Sequence, residues 1–237
     1  MSRCQELLRK EARIVLRTTS KERGAVGRVL LVCTTLAGIH SFFALRSTKD
    51  LVRRMVGPRY RNGLYRLTYN AISVVLLGWA TWWFLRLPDQ ELYRVKMPWS
   101  LLFRVGQLFS LSILLSGVRV IGVLDFAGIS QLRSLFGGFI PDSEPEAQGP
   151  PMGKDGEVLS KQAFRYTRHP GNLGALGIFL LVPRMTVNRV ALLAMVAIYV
   201  VVGSWHEERR LLSAYGEAYE RYRKLVPFLV PLLQRRR

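Results

Sequence analysis

Apolar residues in this chain are gathered into runs, and basic segments separate the runs. That pattern narrows the folds open to it. The runs fall at about Val26–Leu45, Leu64–Leu85, Pro98–Leu124, Gly171–Pro183 and Val190–Trp205. Most approach the ~20 residues a helix needs to cross the hydrocarbon core of a bilayer. Inside that core the backbone must satisfy its own hydrogen bonds, which a helix does within one segment. The expectation is an all-α integral membrane protein: a bundle of about five transmembrane helices with a C-terminal amphipathic helix. Gly171–Pro183 has only 13 residues. It must extend backwards or pack as a short helix inside the bundle.

Charge fits this reading. The formal net charge is +19 with 49% hydrophobic residues. In a soluble protein such a charge would suggest nucleic acid, but no groove-reading motif accompanies it. The bases flank the apolar runs, where anionic headgroups and topology account for them. Membrane lipid is therefore an expected partner and nucleic acid is not. Cys4 and Cys33 have no CxxC or Cys/His spacing, so neither a metal site nor a disulfide framework is expected. No signal peptide is read at the N-terminus.

The segments between runs have readings of their own. Residues 1–25 form a basic arm whose Leu8, Ala12 and Val15 share a helical face, as in a helix lying on a membrane surface. The membrane domain is then 26–237, with about 160–231 as its cofactor half. Residues 46–63 are expected to be a basic loop. Trp79, Trp82, Trp83 and Trp99 read as an aromatic belt. Arg119 lies in the third run, where an arginine is functional unless it snorkels to the interface. Residues 141–157, rich in Pro, Gly and acids, read as a linker. With five spans, one face collects 20 Lys and Arg and the other 14. The richer face marks the cytoplasm and includes the C-terminus, although the seven bases of the arm, with Arg28 just after it, count the other way.

Two motifs carry chemistry. Arg165–Gly174, RYTRHPGNLG, sets Arg168 and His169 before Pro170 at the mouth of the short fourth run. Pro suits the first turn of a helix, whose N-terminus suits an anionic group. After the fifth run come His206, Glu207 and Glu208, then Leu211, Tyr215, Gly216, Tyr219, Tyr222 and Pro227. The two acids read as a helix start, and only one of them is expected to face a site, because helix neighbours point about 100° apart.

RHPxxxG, an apolar hairpin, then EExxLxxxYGxxYxxYxxxVP resembles the C-terminal half of the isoprenylcysteine carboxyl methyltransferase superfamily. His40 and Ser41, as HSxxA at the end of the first run, resemble its NnrU and methanethiol S-methyltransferase branch. So does Asp125–Leu132, DFAGISQL. The resemblance implies an S-adenosylmethionine-dependent membrane methyltransferase, in a bacterial inner membrane. It implies a cofactor pocket between the RHP and EE segments, with His169, Pro170, Asn172, Gly174, Glu207 and Glu208 binding the cofactor. His40, Arg119 and Arg168 are the candidates for catalysis, His40 as a base and the arginines as cations that favour a thiolate. Two departures bear on the substrate. Asn172 stands where many relatives have Tyr, and Gly203 where prenylcysteine methyltransferases carry an Arg for the substrate carboxylate. A small or lipophilic thiol is therefore the expected acceptor. The alternatives are a prenylcysteine carboxyl or phospholipid methyltransferase, with Arg119 replacing the missing Arg, or a non-catalytic accessory protein.

Overall fold

The computed structural model describes residues 3–141 and 149–231, without the side chains of residues 3–23. Eight helices carry almost all of its regular structure. Helix α1, Arg3–Ala44, runs through the boundary expected at residue 25. The face of Leu8, Ala12 and Val15 lies outside the described side chains. Helix α2, Arg46–Phe84, bends at Gly57, whose φ of 80° is non-helical. The residue before a proline is pushed out of the α region, and Gly57 precedes Pro58. No other breaker interrupts 46–63, so the expected basic loop is instead helical. Its first arm exposes Leu51 and Met55 beside the bases, as a helix at a membrane surface does.

Helix α3 is Ser100–Ile121. The chain then folds back on α2 through α4, Val123–Ala127, and α5, Ile129–Phe136. Gly122 and Gly128 make these corners at φ of 101° and 87°, a region open to glycine and costly for other residues. At Gly128 a Cβ would also stand 2.7 Å from the Leu67 amide nitrogen. The DFAGISQL segment is thus a hairpin pressed on the backbone of α2. Polar side chains of α2 hold it there. Arg66 donates to the Asp125 carbonyl at 2.7 Å and Asn70 to that of Phe126 at 2.9 Å.

Helix α6, Pro170–Leu180, begins with proline and packs along α3. Small residues make the close approach possible. A Cβ on Gly174 would lie 2.5 Å from the Ser110 carbonyl oxygen, and one on Gly117 would lie 3.1 Å from Pro170 Cγ. The short fourth run is therefore a helix inside the bundle. At the far end, strands β1, Glu91–Arg94, and β2, Arg184–Thr186, pair antiparallel. Helix α7, Val187–Tyr215, packs against α1 and α6. Gly216, at φ 53°, separates it from α8, Glu217–Leu225.

Gly24–Ala44, Ser100–Ile121 and Val187–Tyr215 are long and apolar enough to cross a membrane by length and composition. Together with the second arm of α2 and the shorter α6, they occupy the five expected places. Leu31, Val74 and Leu108 are each about two-thirds exposed. In water such a surface would be a liability, and in lipid it is the face a spanning bundle needs. Trp79, Trp82 and Trp99 are also exposed, as a belt requires. The chain is an all-α membrane protein.

The C-terminal segment has a small core of its own, in which Leu211, Tyr219, Tyr222 and Val226 are buried together. The Tyr222 hydroxyl donates to the Phe164 carbonyl at 2.7 Å. Of the expected linker 141–157, residues 142–148 lie outside the described residues, and 149–157 is not plain linker. Pro150 is fully buried, a Cβ on Gly149 would strike Leu211, and Glu157 pairs with Arg221 at 2.7 Å.

Candidate active site

One end of the bundle opens into a cleft of about 830 Å³. The C-terminal end of α1, the start of the second arm of α2 and the C-terminal half of α7 form its walls. Its polar lining includes His40 and Ser41 from α1, Arg66, Tyr69 and Asn70 from α2, Asn172 from α6, and His206, Glu207 and Arg210 from α7. Helix periodicity explains the grouping. Tyr65, Arg66, Tyr69 and Asn70 occupy one face at spacings of three and four, opposite the apolar lipid-facing side. Gly203 lies on the cleft wall, and a Cβ there would meet nothing within 4 Å. A missing side chain at that position leaves open space.

Behind Glu207 lies a buried charge cluster. His169 caps α6 and is 4% exposed. Its Nδ1 is 3.2 Å from Glu207 Oε2 and its Nε2 is 3.3 Å from Glu208 Oε1. Arg168 reaches Glu208 Oε1 at 3.1 Å, and its guanidinium lies over the Phe228 ring. Burial lowers the proton affinity of the His169 ring, but hydrogen bonds and charge from Glu207 and Glu208 outweigh it, so its pKa stands above the ordinary histidine value. The segment before α6 is fixed from the tail, since the Arg168 amide donates to the Pro227 carbonyl at 3.0 Å. Tyr219 is fully buried beneath the cluster, and burial and Glu208 push its phenol well above the ordinary tyrosine range.

Of the residues singled out from the sequence, His40, Asn172 and Glu207 line the cleft. Arg168, His169 and Glu208 form the layer behind it, joined to the cleft through the contact of His169 with Glu207. One acid, Glu207, faces the cleft, as expected, and both are held by His169: an imidazole presents two ring nitrogens, so one ring bridges two carboxylates on adjacent residues. Nor do the acids start a helix. No breaker separates Trp205 from Tyr215, so α7 carries them in its interior. Pro170 and Gly174 face α3 and serve close packing. Arg119 sits exposed in the last turn of α3, apart from the residues that line the cleft. Among the described residues no cluster of metal-ligating side chains occurs.

Tyr69 and Tyr199 were not singled out. The Tyr69 hydroxyl is 2.5 Å from His40 Nε2. The Tyr199 ring meets the imidazole edge-on at 6.0 Å. The available signal was a cluster of polar and aromatic residues at helical spacing, Tyr65-Arg66 and Tyr69-Asn70, at the start of an apolar run.

Fold and site define a membrane helical bundle with a polar, ligand-sized cleft at one end, backed by a buried His–Glu–Arg cluster. No family model and no solved structure matches the chain. Over most of its length the chain is similar to curated methanethiol S-methyltransferases. It is 28% identical to the one from Pseudomonas deceptionensis, across 87% of this chain and 72% of the relative. It is 26% identical to that of Crocosphaera subtropica, across 90% and 79%. For Mycobacterium tuberculosis the identity is 27%, across 87% and 80%. These similarities bear out the resemblance to the thiol-methylating branch.

Proposed function

We propose that this chain is a membrane-embedded methyltransferase that transfers a methyl group from S-adenosylmethionine to a small or lipophilic thiol. One observation carries the reading. A single cleft joins the carboxylate of Glu207, fixed from behind by His169, to the His40–Tyr69 pair, in a chain similar over most of its length to methanethiol S-methyltransferases.

The residues present fit the cofactor. The cleft volume of about 830 Å³ lies within the range of small-molecule sites. S-adenosylmethionine offers an amine, ribose hydroxyls and a carboxylate. Glu207 suits the amine or the hydroxyls, and Arg210 suits the carboxylate. Asn172, held by its 2.7 Å bond to Ser204 Oγ, presents an amide to the same wall. His169, Glu208 and Arg168 keep Glu207 in place. When bound, the cofactor supplies an electrophilic methyl group on a sulfonium. The chain's own contribution is positioning and exclusion of water, which suffice for much of such a transfer.

The open wall at Gly203 supports a thiol over a prenylcysteine acid. A carboxylate without a dedicated cation would bear a large desolvation cost in a membrane-facing pocket. We further propose that the cleft end faces the cytoplasm of a bacterial inner membrane, where the cofactor is made. The test is cofactor binding by purified protein in detergent, compared between wild type and Glu207→Gln. Loss of a hydrogen bond to a charged group corresponds to roughly ten- to a hundredfold in affinity. Equal affinity in the two proteins would place the cofactor elsewhere.

A further inference from the structure

We infer that Tyr69 and His40 form the proton-accepting pair for the acceptor thiol: His40 takes the proton and Tyr69 positions its ring. The inference rests on the thiol-methylation reading and names a step that reading leaves open. A thiol acceptor must lose a proton, because the thiolate is the nucleophile and a free thiol has a pKa of about 8.5. The S–H bond breaks and its proton passes to the His40 imidazole. The sulfur lone pair forms a bond to the donor methyl carbon. The donor's carbon–sulfur bond breaks, its electron pair remains on the donor sulfur, and both products are neutral thioethers. The imidazolium then returns its proton to water through the open cleft.

Few cleft groups can do this. Arginine does not deprotonate. His169 is buried with both nitrogens on carboxylates, and Glu207 is the partner of one of them. His206 lies on the cleft wall, but its ring packs on Trp205 and, among the described residues, no hydrogen bond orients it. His40 differs in its exposure and in its partner. It is exposed to the cleft, the Tyr69 hydroxyl lies 2.5 Å from its Nε2 and 3.0 Å from its Nδ1, and Tyr199 packs edge-on against it. One hydroxyl has one proton to give, so the neutral ring keeps a nitrogen able to accept a proton. The pair is also locked in register. The Tyr65 hydroxyl, one turn from Tyr69, donates to the Phe43 carbonyl at 2.6 Å and ties the end of α1 to α2. A base within hydrogen-bond reach of a group that orients it is the usual arrangement for activating a weak nucleophile.

The test uses full-length protein in detergent, labelled S-adenosylmethionine and two acceptors: an alkyl thiol, protonated at neutral pH, and an aryl thiol already ionised there. The variants are His40→Asn and Tyr69→Phe, each with cofactor affinity measured as a control for folding. His40→Asn should slow alkyl-thiol methylation by roughly a hundredfold, the usual size of a general-base contribution. The loss on the aryl thiol, which needs no proton removed, should be markedly smaller, so the alkyl-to-aryl rate ratio falls. Tyr69→Phe should shift the same ratio in the same direction by less. Equal loss on both thiols, or no loss on the alkyl thiol, overturns the pair. A wild-type protein that methylates neither thiol overturns the thiol reading itself, and the pair with it.

Discussion

Removing His169 should destabilise the folded protein as well as weaken ligand binding. In His169→Ala, Glu207 and Glu208 would lose the ring that sits between them at 3.2 and 3.3 Å. Glu208 is 10% exposed and would keep only Arg168, whereas Glu207 is 26% exposed and could turn to water. Breaking a buried charge pair by removing one partner costs about 3–5 kcal/mol. The Glu207 half is partly exposed and counts for less, nearer the ~0–1 kcal/mol of a surface pair. An overall loss of about 3 kcal/mol follows, set by the Glu208 side. At roughly 2–4 °C per kcal/mol for a chain of this size, the unfolding midpoint should fall by about 6–12 °C. Thermal unfolding in detergent, followed by tryptophan fluorescence, measures this directly. Adding Glu207→Gln removes the carboxylate left without a partner and should recover part of the loss, whereas adding Glu208→Gln would leave Arg168 unpaired and deepen it, because contacting residues are not additive. A midpoint within about 2 °C of wild type for His169→Ala would refute the reasoning.

The same ring sets a pH dependence. Its folded-state pKa is raised above the ordinary value of about 6.5. Its stabilisation is therefore fully present below that pH and is lost as pH rises through the raised value. Wild type should lose thermal stability from mildly acid to alkaline pH, and His169→Gln should lose this dependence; parallel curves would count against it. Gly174→Ala would drive a methyl group to 2.5 Å from the Ser110 carbonyl oxygen. It should cost about 1–3 kcal/mol by overpacking, read as a lower midpoint. Gly128→Ala combines strain at φ 87° with a clash on the α2 backbone, and should lower the midpoint with cofactor affinity reduced in step. Gly203→Arg should fit without unfolding, because nothing lies within 4 Å. It should slow thiol methylation by occupying the cleft wall; an unchanged rate would show that this wall is not used.

Much of the bundle could be read from the chain because lipid demands long apolar helices, and composition alone reports them. What sequence missed depends on packing. The stretch after Arg46 looked like a loop because it is basic, yet only Gly57-Pro58 interrupts it, and exposed bases are compatible with a helix at a membrane surface. The α4–α5 hairpin needed the backbone angles of Gly122 and Gly128, which no periodicity reveals. The RHP and EE segments could be paired across the apolar hairpin. The bridging of two adjacent acids by one imidazole could not, since helix geometry alone points them apart. Pro170 and Gly174 read as ligand-binding residues from their motif, but their work is to let α6 approach α3. Tyr69 was hidden because a tyrosine at the start of a span reads equally well as an interface anchor. Only its 2.5 Å approach to His40 separates the two roles.

The most direct test of methyl transfer to a thiol is a headspace assay. Purified protein in detergent would be given methyl-labelled S-adenosylmethionine and methanethiol in one vessel, and a prenylcysteine in competition in another. Labelled dimethyl sulfide as the main product, lost in Glu207→Gln, is the result expected. Label appearing chiefly as a carboxyl ester, or no transfer to methanethiol by a protein that binds the cofactor, would contradict it.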